Sequence, residues 1–168
     1  MLGLGENFPT FSLRANVSAI ESHAFRVITD RDFEGCWKVY LCWPKDFTEL
    51  SREEIVNFGS VSSQFQHLHA QLLGVSVESE FAHLAWRIQD DELSALTIPM
   101  LADTRRDLCG QLGILDPVEG VAQRAIFVVD PQAVIRFVYV TEMHVRRNVA
   151  EVLRVLSDLQ AASSLTQM

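Results

Sequence analysis

The stretch that decides the fold runs over residues 37–55, "WKVYLCWPKDFTELSREEI". Its first seven residues, 37–43, are almost entirely apolar, which is typical of a central strand buried on both faces of a parallel sheet. From Ile55 to Leu72 the apolar residues then recur every three or four positions, as in a helix. The stretch therefore predicts a strand followed by a helix, and the junction between them is a place where many folds hold functional groups.

Net charge and composition exclude several classes of protein. The chain has 168 residues and a formal net charge of −8 at pH 7. An acidic chain lacks the basic surface that nucleic acids require, so no nucleic-acid partner is expected. No apolar run approaches the ~18 residues of a membrane span. The N-terminus has no basic region followed by an apolar one. We therefore expect no membrane partner and a cytoplasmic location.

The rest of the chain alternates strands and helices, after an N-terminal part, residues 1–35, that is expected to be irregular. The predicted elements are a strand at 72–78, helices at 79–90 and 103–113, hairpin strands at 125–130 and 134–140, and a last helix at 148–160. Ser79 and Asp103 are the predicted N-caps of the first two helices, and Gly113 is the predicted end of the second.

This order of elements predicts an α/β fold. The βαβ unit requires parallel strands with a right-handed crossover, and the hairpin adds an antiparallel pair. We expect a thioredoxin-like architecture, a mixed central sheet with helices on both faces. The length suits a single domain, residues 1–168. The tail, residues 161–168, offers little to bury and is expected to be disordered.

Several separate segments resemble the peroxiredoxins, most of all the bacterial alkyl hydroperoxide reductase C type. The resemblance covers most of the chain in order, from about Phe8 to Gln160, and implies a thioredoxin-like fold and thiol-dependent reduction of hydroperoxides. The segments that carry it are "WPKDFT" (43–48), "LLGVSVESEFAHLAWR" (72–87), "IPMLAD" (98–103), "RAIFVVDP" (124–131) and "RNVAEVLRVLSDLQ" (147–160).

The active-site pattern of that family is Pro-x-x-x-Thr-x-x-Cys, with an arginine from a later strand. Pro44, Thr48 and Arg124 match the proline, the threonine and the arginine. The resemblance implies that the proline shields the site, that the threonine and arginine orient the peroxide, and that the arginine helps to keep the cysteine ionised. The residue at the cysteine position, however, is Ser51.

Serine at this position is expected to abolish the family's chemistry. Peroxide reduction needs a thiolate that attacks the O–O bond and becomes a sulfenic acid, and a serine hydroxyl has no comparable oxidation chemistry. Residues 49–53 all depart from the family's pattern. Ser51 and Glu54 have the spacing of a capping box, and Leu50 and Ile55 have that of a hydrophobic staple. We therefore expect a capped helix that begins at Ser51.

The alternative is that another cysteine carries a weak thiol-peroxidase activity. Cys42 lies close to Pro44, and Cys109 follows two arginines that could lower its pKa. Cys36 and Cys42 would be about 20 Å apart on one strand and cannot form a disulfide. The resolving cysteine that two-cysteine members carry near the C-terminus is missing, since no cysteine follows Cys109.

No cofactor or metal is expected. His67 and His69 are two residues apart, which places them on different faces of a helix, and no Cys-x-x-Cys or His-Glu-x-x-His motif is present.

The predicted partners are proteins. An apolar strand at 134–141 would be costly if its edge were exposed, and the resemblance implies that it pairs with its twin in a homodimer. Such dimers can assemble further into rings. Two functions are open: an inactive scaffold, partner-binding or regulatory relative, in one version mixed with an active peroxiredoxin paralogue, or the weak peroxidase that uses Cys42 or Cys109.

Overall fold

A computed structural model describes residues 1–166, and within them seven strands form one sheet. The strands are β1 (Ser12–Asn16), β2 (Phe25–Thr29), β3 (Trp37–Cys42), β4 (Ala70–Ser76), β5 (Met100–Ala102), β6 (Arg124–Val129) and β7 (Ile135–Thr141). The helices are α1 (Glu49–Ser60), α2 (Ser62–His67), α3 (Glu80–Gln89), α4 (Asp91–Ser94), α5 (Asp107–Leu112) and α6 (Val149–Thr166), and a single 3-10 turn covers Glu21–His23.

The sheet is mixed, as the sequence predicts. Its strand order is β2-β1-β5-β4-β3-β6-β7. The pairs β3–β4 and β4–β5 are parallel, as expected for βα crossovers, whereas β3–β6 and β6–β7 are antiparallel. β3 is therefore flanked by one parallel and one antiparallel neighbour. Its carboxyl end leads directly into the loop that precedes α1.

Side chains of β3 alternate between two cores, one on each face of the sheet. Tyr40 and Cys42 belong to the first core, which includes side chains of α5, whereas Val39, Leu41 and Trp43 belong to the second. The second core includes side chains of α1, α2, α3 and α6. All six residues of β3 are buried, which explains why the stretch contains almost no polar residue. The prediction of helices on both faces is confirmed.

Residues 1–35 are not irregular, because they contain the antiparallel strands β1 and β2. β2 lies at the edge of the sheet, and Ile28 is its only buried residue. Phe25 and Val27 are exposed, so the strand shows no clean alternation of buried apolar and exposed polar residues. An edge strand of this kind gives a weak periodic signal.

The bounds of the first and last helices differ from the predicted ones. The helix expected over residues 51–72 is divided into α1 and α2, begins at Glu49, and gives way to β4 at Ala70. The last helix continues through Thr166, so residues 161–166 are helical and not disordered. Residues 167–168 of the predicted tail lie outside the described part of the chain.

Two of the predicted helix boundaries, Ser79 and Gly113, are confirmed. Ser79 precedes α3 and accepts a hydrogen bond from the backbone of Ala82 at 3.1 Å. Gly113 ends α5 in the left-handed conformation, with φ 73°. Asp103 is not the N-cap of α5, which begins four residues later. Its carboxylate nevertheless accepts hydrogen bonds from the first-turn backbone of Leu108 (3.2 Å) and Cys109 (2.7 Å).

The strand predicted to pair across a dimer, residues 134–141, corresponds to β7, at the opposite edge of the sheet from β2. Phe137, Val138 and Tyr139 are half-buried in the single chain, and Val140 is 38% exposed. In residues 1–166, no helix has both the length and the apolar character needed to cross a membrane.

Candidate functional site

Three buried side chains fix the loop between β3 and α1. They are Trp43, Asp46 and His83, which we term the loop cluster. One carboxylate oxygen of Asp46 accepts from the Trp43 indole N–H at 2.7 Å, and the other lies 2.6 Å from His83 Nδ1. The second ring nitrogen of His83 donates to the carbonyl of Leu101 at 3.2 Å. Every polar atom of the cluster has a partner, so the loop has a fixed position relative to the sheet.

Thr48 is the residue before α1, with an extended backbone (φ −104°, ψ 140°). Its hydroxyl donates to the carbonyl of Lys45 at 3.0 Å and does not cap the helix. The first helical hydrogen bond runs from the N–H of Arg52 to the carbonyl of Thr48, at 3.0 Å. The three preceding N–H groups, of residues 49–51, have no acceptor within the described residues. The start of α1 is therefore uncapped by any side chain.

The predicted capping box between Ser51 and Glu54 is wrong. Ser51 is the third residue of the helix, and its fully buried hydroxyl accepts a hydrogen bond from Arg124 Nη1 at 3.2 Å. Glu54 points to two arginines and not back to the N–H of Ser51. Leu50 borders a pocket, whereas Ile55 is buried in the core, so the predicted staple gains no support. Hydrogen bonds between charged groups are about twice as strong as neutral ones, which explains why Glu54 prefers the arginines.

Glu54, Arg124 and Arg147 form a second buried group, which we term the pocket cluster. One oxygen of Glu54 accepts from the backbone N–H and Nε of Arg147, at 2.6 and 3.2 Å. The other accepts from Arg147 Nη2 at 2.6 Å and from Arg124 Nη1 at 3.1 Å. Arg147 Nη1 donates to the carbonyls of Cys42 and Ala125, at 2.6 and 2.8 Å. Arg147 thus ties the start of α6 to the end of β3.

Sequence reasoning missed Arg147 and gave Glu54 the wrong partner. Arg147 lies in the loop before α6, where no periodic or cap pattern marks it, and it is 93 residues from Glu54 in the chain. The signal appears only once the fold places Glu54 in the interior, because a buried glutamate requires a cation and Arg124 alone leaves part of its carboxylate unpaired.

The pocket cluster carries a net positive charge, because it holds two guanidinium groups and one carboxylate. Burial lowers the pKa of Arg124, and the charge of Glu54 partly opposes that effect by raising it. Arg124 also donates from Nε to the carbonyl of Met143. Its guanidinium is therefore held in one orientation.

A pocket of about 390 Å³ opens above Arg124. Three of the four predicted site residues line it: Pro44, Thr48 and Arg124. Ser51 is not a lining residue and reaches the site through its hydrogen bond to Arg124. The remaining lining residues are Lys45, Leu50, Glu119, Met143 and His144. The structure thus brings all four predicted residues to one place.

Ion pairs hold the first turn of α1 on two sides. Arg52 pairs with Asp90, through its Nε, and with Glu92 at 2.8 Å. Glu53, the next residue, pairs with Arg146 at 3.1 Å. Both residues lie in the segment 49–53, between Thr48 and Glu54. The first turn is therefore linked to α4 and to the loop before α6.

The three cysteines are free, and none lines the pocket. Burial raises the pKa of Cys42 to about 12, although the charge of Arg147 acts to lower it. Burial also raises the pKa of Cys109, with further contributions from Cys42 and Asp103. Cys36 is half-exposed at the opposite end of β3. Because a buried thiol remains protonated, Cys42 and Cys109 are poor nucleophiles in the folded protein.

The model of the AhpC/TSA family matches residues 4–138. The chain belongs to the AhpC/TSA family. It is 41% identical to the alkyl hydroperoxide reductase C of Mycolicibacterium smegmatis, over 96% of this chain and 86% of the relative. It is 36% identical to peroxiredoxin-2 of Bos taurus, over 94% of this chain and 78% of the relative.

Solved structures of AhpC proteins agree with this assignment. The Mycobacterium tuberculosis AhpC structure superimposes with a TM-score of 0.90 at 41% identity, covering 96% of this chain and 95% of that one. The Enterococcus faecalis AhpC structure gives a TM-score of 0.92 at 26% identity, covering 98% and 96%. The thioredoxin-like fold and the family resemblance predicted from the sequence are both confirmed.

Proposed function

We propose that this member of the AhpC/TSA family does not reduce hydroperoxides, and that it acts as a scaffold, a partner-binding subunit or a regulator. The observation that carries the proposal is the 3.2 Å hydrogen bond from Arg124 to the hydroxyl of Ser51, beside a pocket lined by Pro44 and Thr48. In this proposal Ser51 occupies the place of the peroxidatic cysteine, and the groups that orient a peroxide surround a hydroxyl instead of a thiol.

A hydroxyl in this position cannot perform the family's reaction. Attack on an O–O bond requires a polarisable thiolate that accepts oxygen and becomes a sulfenic acid. The serine oxygen has no such oxidation product, and Arg124 stabilises an anion only if one can form. A peroxide that is oriented by Pro44, Thr48 and Arg124 would therefore bind in the pocket without being reduced.

The ion pairs around the first turn of α1 support the same proposal. The resemblance to two-cysteine peroxiredoxins implies a turn that unwinds so that the cysteine can reach a resolving partner. Arg52 and Glu53 tie this turn to Asp90, Glu92 and Arg146, and unwinding would break these contacts. A site that no longer needs to open gains stability from such contacts.

The proposed assembly is a homodimer through β7. This strand lies at an edge of the sheet and carries the partly buried apolar side chains of Phe137, Val138 and Tyr139. Pairing two copies of β7 would satisfy its free backbone groups and cover these side chains. We further propose that such dimers can assemble into a ring or form a mixed oligomer with an active paralogue. Sedimentation equilibrium tests it, and a chain that stays monomeric would contradict it.

The activity test compares three proteins in the reduced state: wild type, Ser51→Ala and Ser51→Cys. Each is mixed with hydrogen peroxide, and peroxide loss and intact mass are followed with time. We expect wild type and Ser51→Ala to consume peroxide at the same slow rate, because neither has a thiol in the pocket. Cys36→Ala serves as the control for background oxidation of the half-exposed thiol.

Rapid consumption by wild type, with sulfenic acid or a disulfide at Cys42 or Cys109, would overturn the proposal. The Ser51→Cys variant separates two causes of inactivity. If it consumes peroxide, the serine alone accounts for the loss. If it forms a thiolate and still does not react, the altered residues at 49, 52 and 53 have also changed the pocket.

A further inference from the structure

We infer that the pocket above Arg124 binds a small monocarboxylate, whose charged group is held by Arg124 and the start of α1 and whose apolar chain lies against Pro44, Leu50 and Met143. The inference rests on the proposed function, since a thiolate at position 51 would supply the negative charge that the pocket otherwise lacks.

The first argument is the balance of buried charge. Arg124 and Arg147 are 4% and 5% exposed, and Glu54, their only carboxylate partner among the described residues, is 1% exposed. The cluster is left with one positive charge. A buried charge without a counter-ion is unfavourable, and a bound anion removes that cost.

Other charges around the pocket do not provide the missing anion. Glu119 lines the mouth but is paired with Lys45 at 2.7 Å. Glu53 is paired with Arg146. The charge of Glu142 raises the pKa of Arg124, but its side chain is exposed and its effect on that pKa is smaller than those of burial, Glu54 and Arg147. The positive charge of the cluster therefore remains available to a ligand.

The second argument is a free donor on Arg124. Its Nε donates to Met143, and its Nη1 donates to Ser51 and Glu54. Its Nη2 has no partner within residues 1–166, yet no unpartnered side-chain nitrogen or oxygen is fully enclosed there. Nη2 is therefore accessible, and Arg124 borders the pocket. A guanidinium held in a fixed orientation is well suited to a carboxylate oxygen.

The third argument is the uncapped start of α1. The N–H groups of residues 49–51 have no acceptor in the described part of the chain, and Thr48 and Leu50 from the same segment line the pocket. A helix of 12 residues places partial positive charge at this end. Backbone N–H groups at a helix start bind anions readily. Helix and arginine thus favour the same kind of ligand.

The shape of the pocket selects the rest of the ligand. Pro44, Leu50 and Met143 provide apolar walls, and a volume of about 390 Å³ is near the lower end of the range for small-molecule sites. Beyond the cluster, the cation at the mouth, Lys45, is already paired with Glu119. A second carboxylate would therefore meet no unpaired lysine or arginine among the lining residues, and a monocarboxylate with a short apolar chain fits best.

The test compares octanoate with octanamide, which has the same chain and no charge, by titration calorimetry on the full-length protein. We expect the dissociation constant of octanoate to be lower than that of octanamide by a factor of about ten or more. This factor corresponds to the replacement of a neutral hydrogen bond by a charged one. In heteronuclear NMR spectra, octanoate should shift the amide signals of residues 49–51. Equal affinity for the two compounds, or shifts confined to residues away from the pocket, would overturn the inference.

The matched variants are Arg124→Gln and Arg146→Gln. Both remove one arginine charge, but Arg146 does not line the pocket and its side chain is 63% exposed. We expect Arg124→Gln to weaken octanoate binding about tenfold or more and Arg146→Gln to leave it within about twofold. Equal losses in both variants would contradict the site. If Arg124→Gln does not fold, the comparison of octanoate with octanamide on wild type decides alone.

Failure of this inference is distinct from failure of the proposed function. Peroxide consumption by wild type would refute the proposed function without any binding measurement. Absence of octanoate binding, in a protein that also consumes no peroxide, would refute the inference alone.

Discussion

The loop cluster and the pocket cluster both adjoin the loop between β3 and α1, and they differ in how completely their polar atoms are paired. In the loop cluster, both oxygens of Asp46 and both ring nitrogens of His83 have partners. In the pocket cluster, each guanidinium nitrogen of Arg147 has a partner, but one nitrogen of Arg124, at the edge of a cavity, has none within residues 1–166. Both are buried, and both contain a carboxylate.

The difference separates a structural role from a binding role. A fully paired buried network contributes rigidity and offers nothing to a ligand. A network with an unused donor beside a cavity can exchange water for an anion. The loop cluster therefore sets where Pro44 and Thr48 lie, while the pocket cluster determines what they can enclose.

The largest expected effect comes from removing the carboxylate of the pocket cluster. Glu54→Gln leaves two buried arginines without a counter-ion, and we expect a loss of about 3–5 kcal/mol in the free energy of unfolding, measured with urea. The control is Glu53→Gln, which removes a neighbouring carboxylate that is 34% exposed and pairs with Arg146 at the surface. Its expected cost is below about 1 kcal/mol. Similar costs for the two variants would show that the buried charges are not coupled.

A smaller effect is expected from the loop cluster. Asp46→Asn replaces one acceptor oxygen by a donor, so that the Trp43 or His83 N–H loses its partner, at a cost of about 1–3 kcal/mol in urea unfolding. Octanoate affinity should fall by much less than in Arg124→Gln, because the positive charge at Arg124 is untouched and only the position of Pro44 and Thr48 is affected. Asp91→Asn, at an exposed position, is the control. If Asp46→Asn alters octanoate affinity as strongly as Arg124→Gln does, the division of roles between the two clusters is incorrect.

The smallest expected effect is the pH dependence contributed by Cys42, whose pKa burial raises to about 12 against the charge of Arg147. An unfolded cysteine ionises near about 8.5, so above that pH the folded state binds more protons and stability falls as pH rises. The slope is about 1.4 kcal/mol per pH unit for one thiol. Cys42→Ala should therefore show a shallower loss of stability than wild type between about pH 9 and 10.

Urea unfolding at several pH values measures the two slopes. At about pH 6 to 7 the slopes should coincide, since the thiol is protonated in both states. Equal slopes at high pH as well would mean that Cys42 is ionised in the folded protein. In that case Arg147 would outweigh burial, and the pocket cluster would be able to activate a thiol.

Much of the fold was predictable from the sequence because its central elements are strongly periodic. The uninterrupted apolar run of β3, the helical spacing after it and the β6–β7 hairpin each gave a clear local signal. The exposed apolar residues Phe25 and Val27 hid β2, since burial at a sheet edge depends on neighbours that a local pattern does not contain.

The site was predictable in part, for the same physical reason. Pro44 and Thr48 were found because the family pattern places them at fixed spacing, and Arg124 was found because the same pattern includes an arginine from a later strand. The role of Glu54 could not be predicted. Residues 51–54 have the spacing of a capping box, and that local pattern does not show whether an arginine 93 residues away in the chain lies close in the fold. Local patterns specify which contacts are available, and tertiary structure decides which are made.

The geometry of β3 has a practical consequence for spectroscopy. The strand separates two cysteines: Cys42, its last residue, is fully buried near the pocket, and Cys36, the residue before the strand, is half-buried about 20 Å away. Cys109 is also fully buried. The folded protein therefore has one readily labelled position without any engineering. A fluorophore or spin label attached to Cys36 would sit immediately before β3, at the end of the strand away from the pocket, and should leave a bound ligand undisturbed.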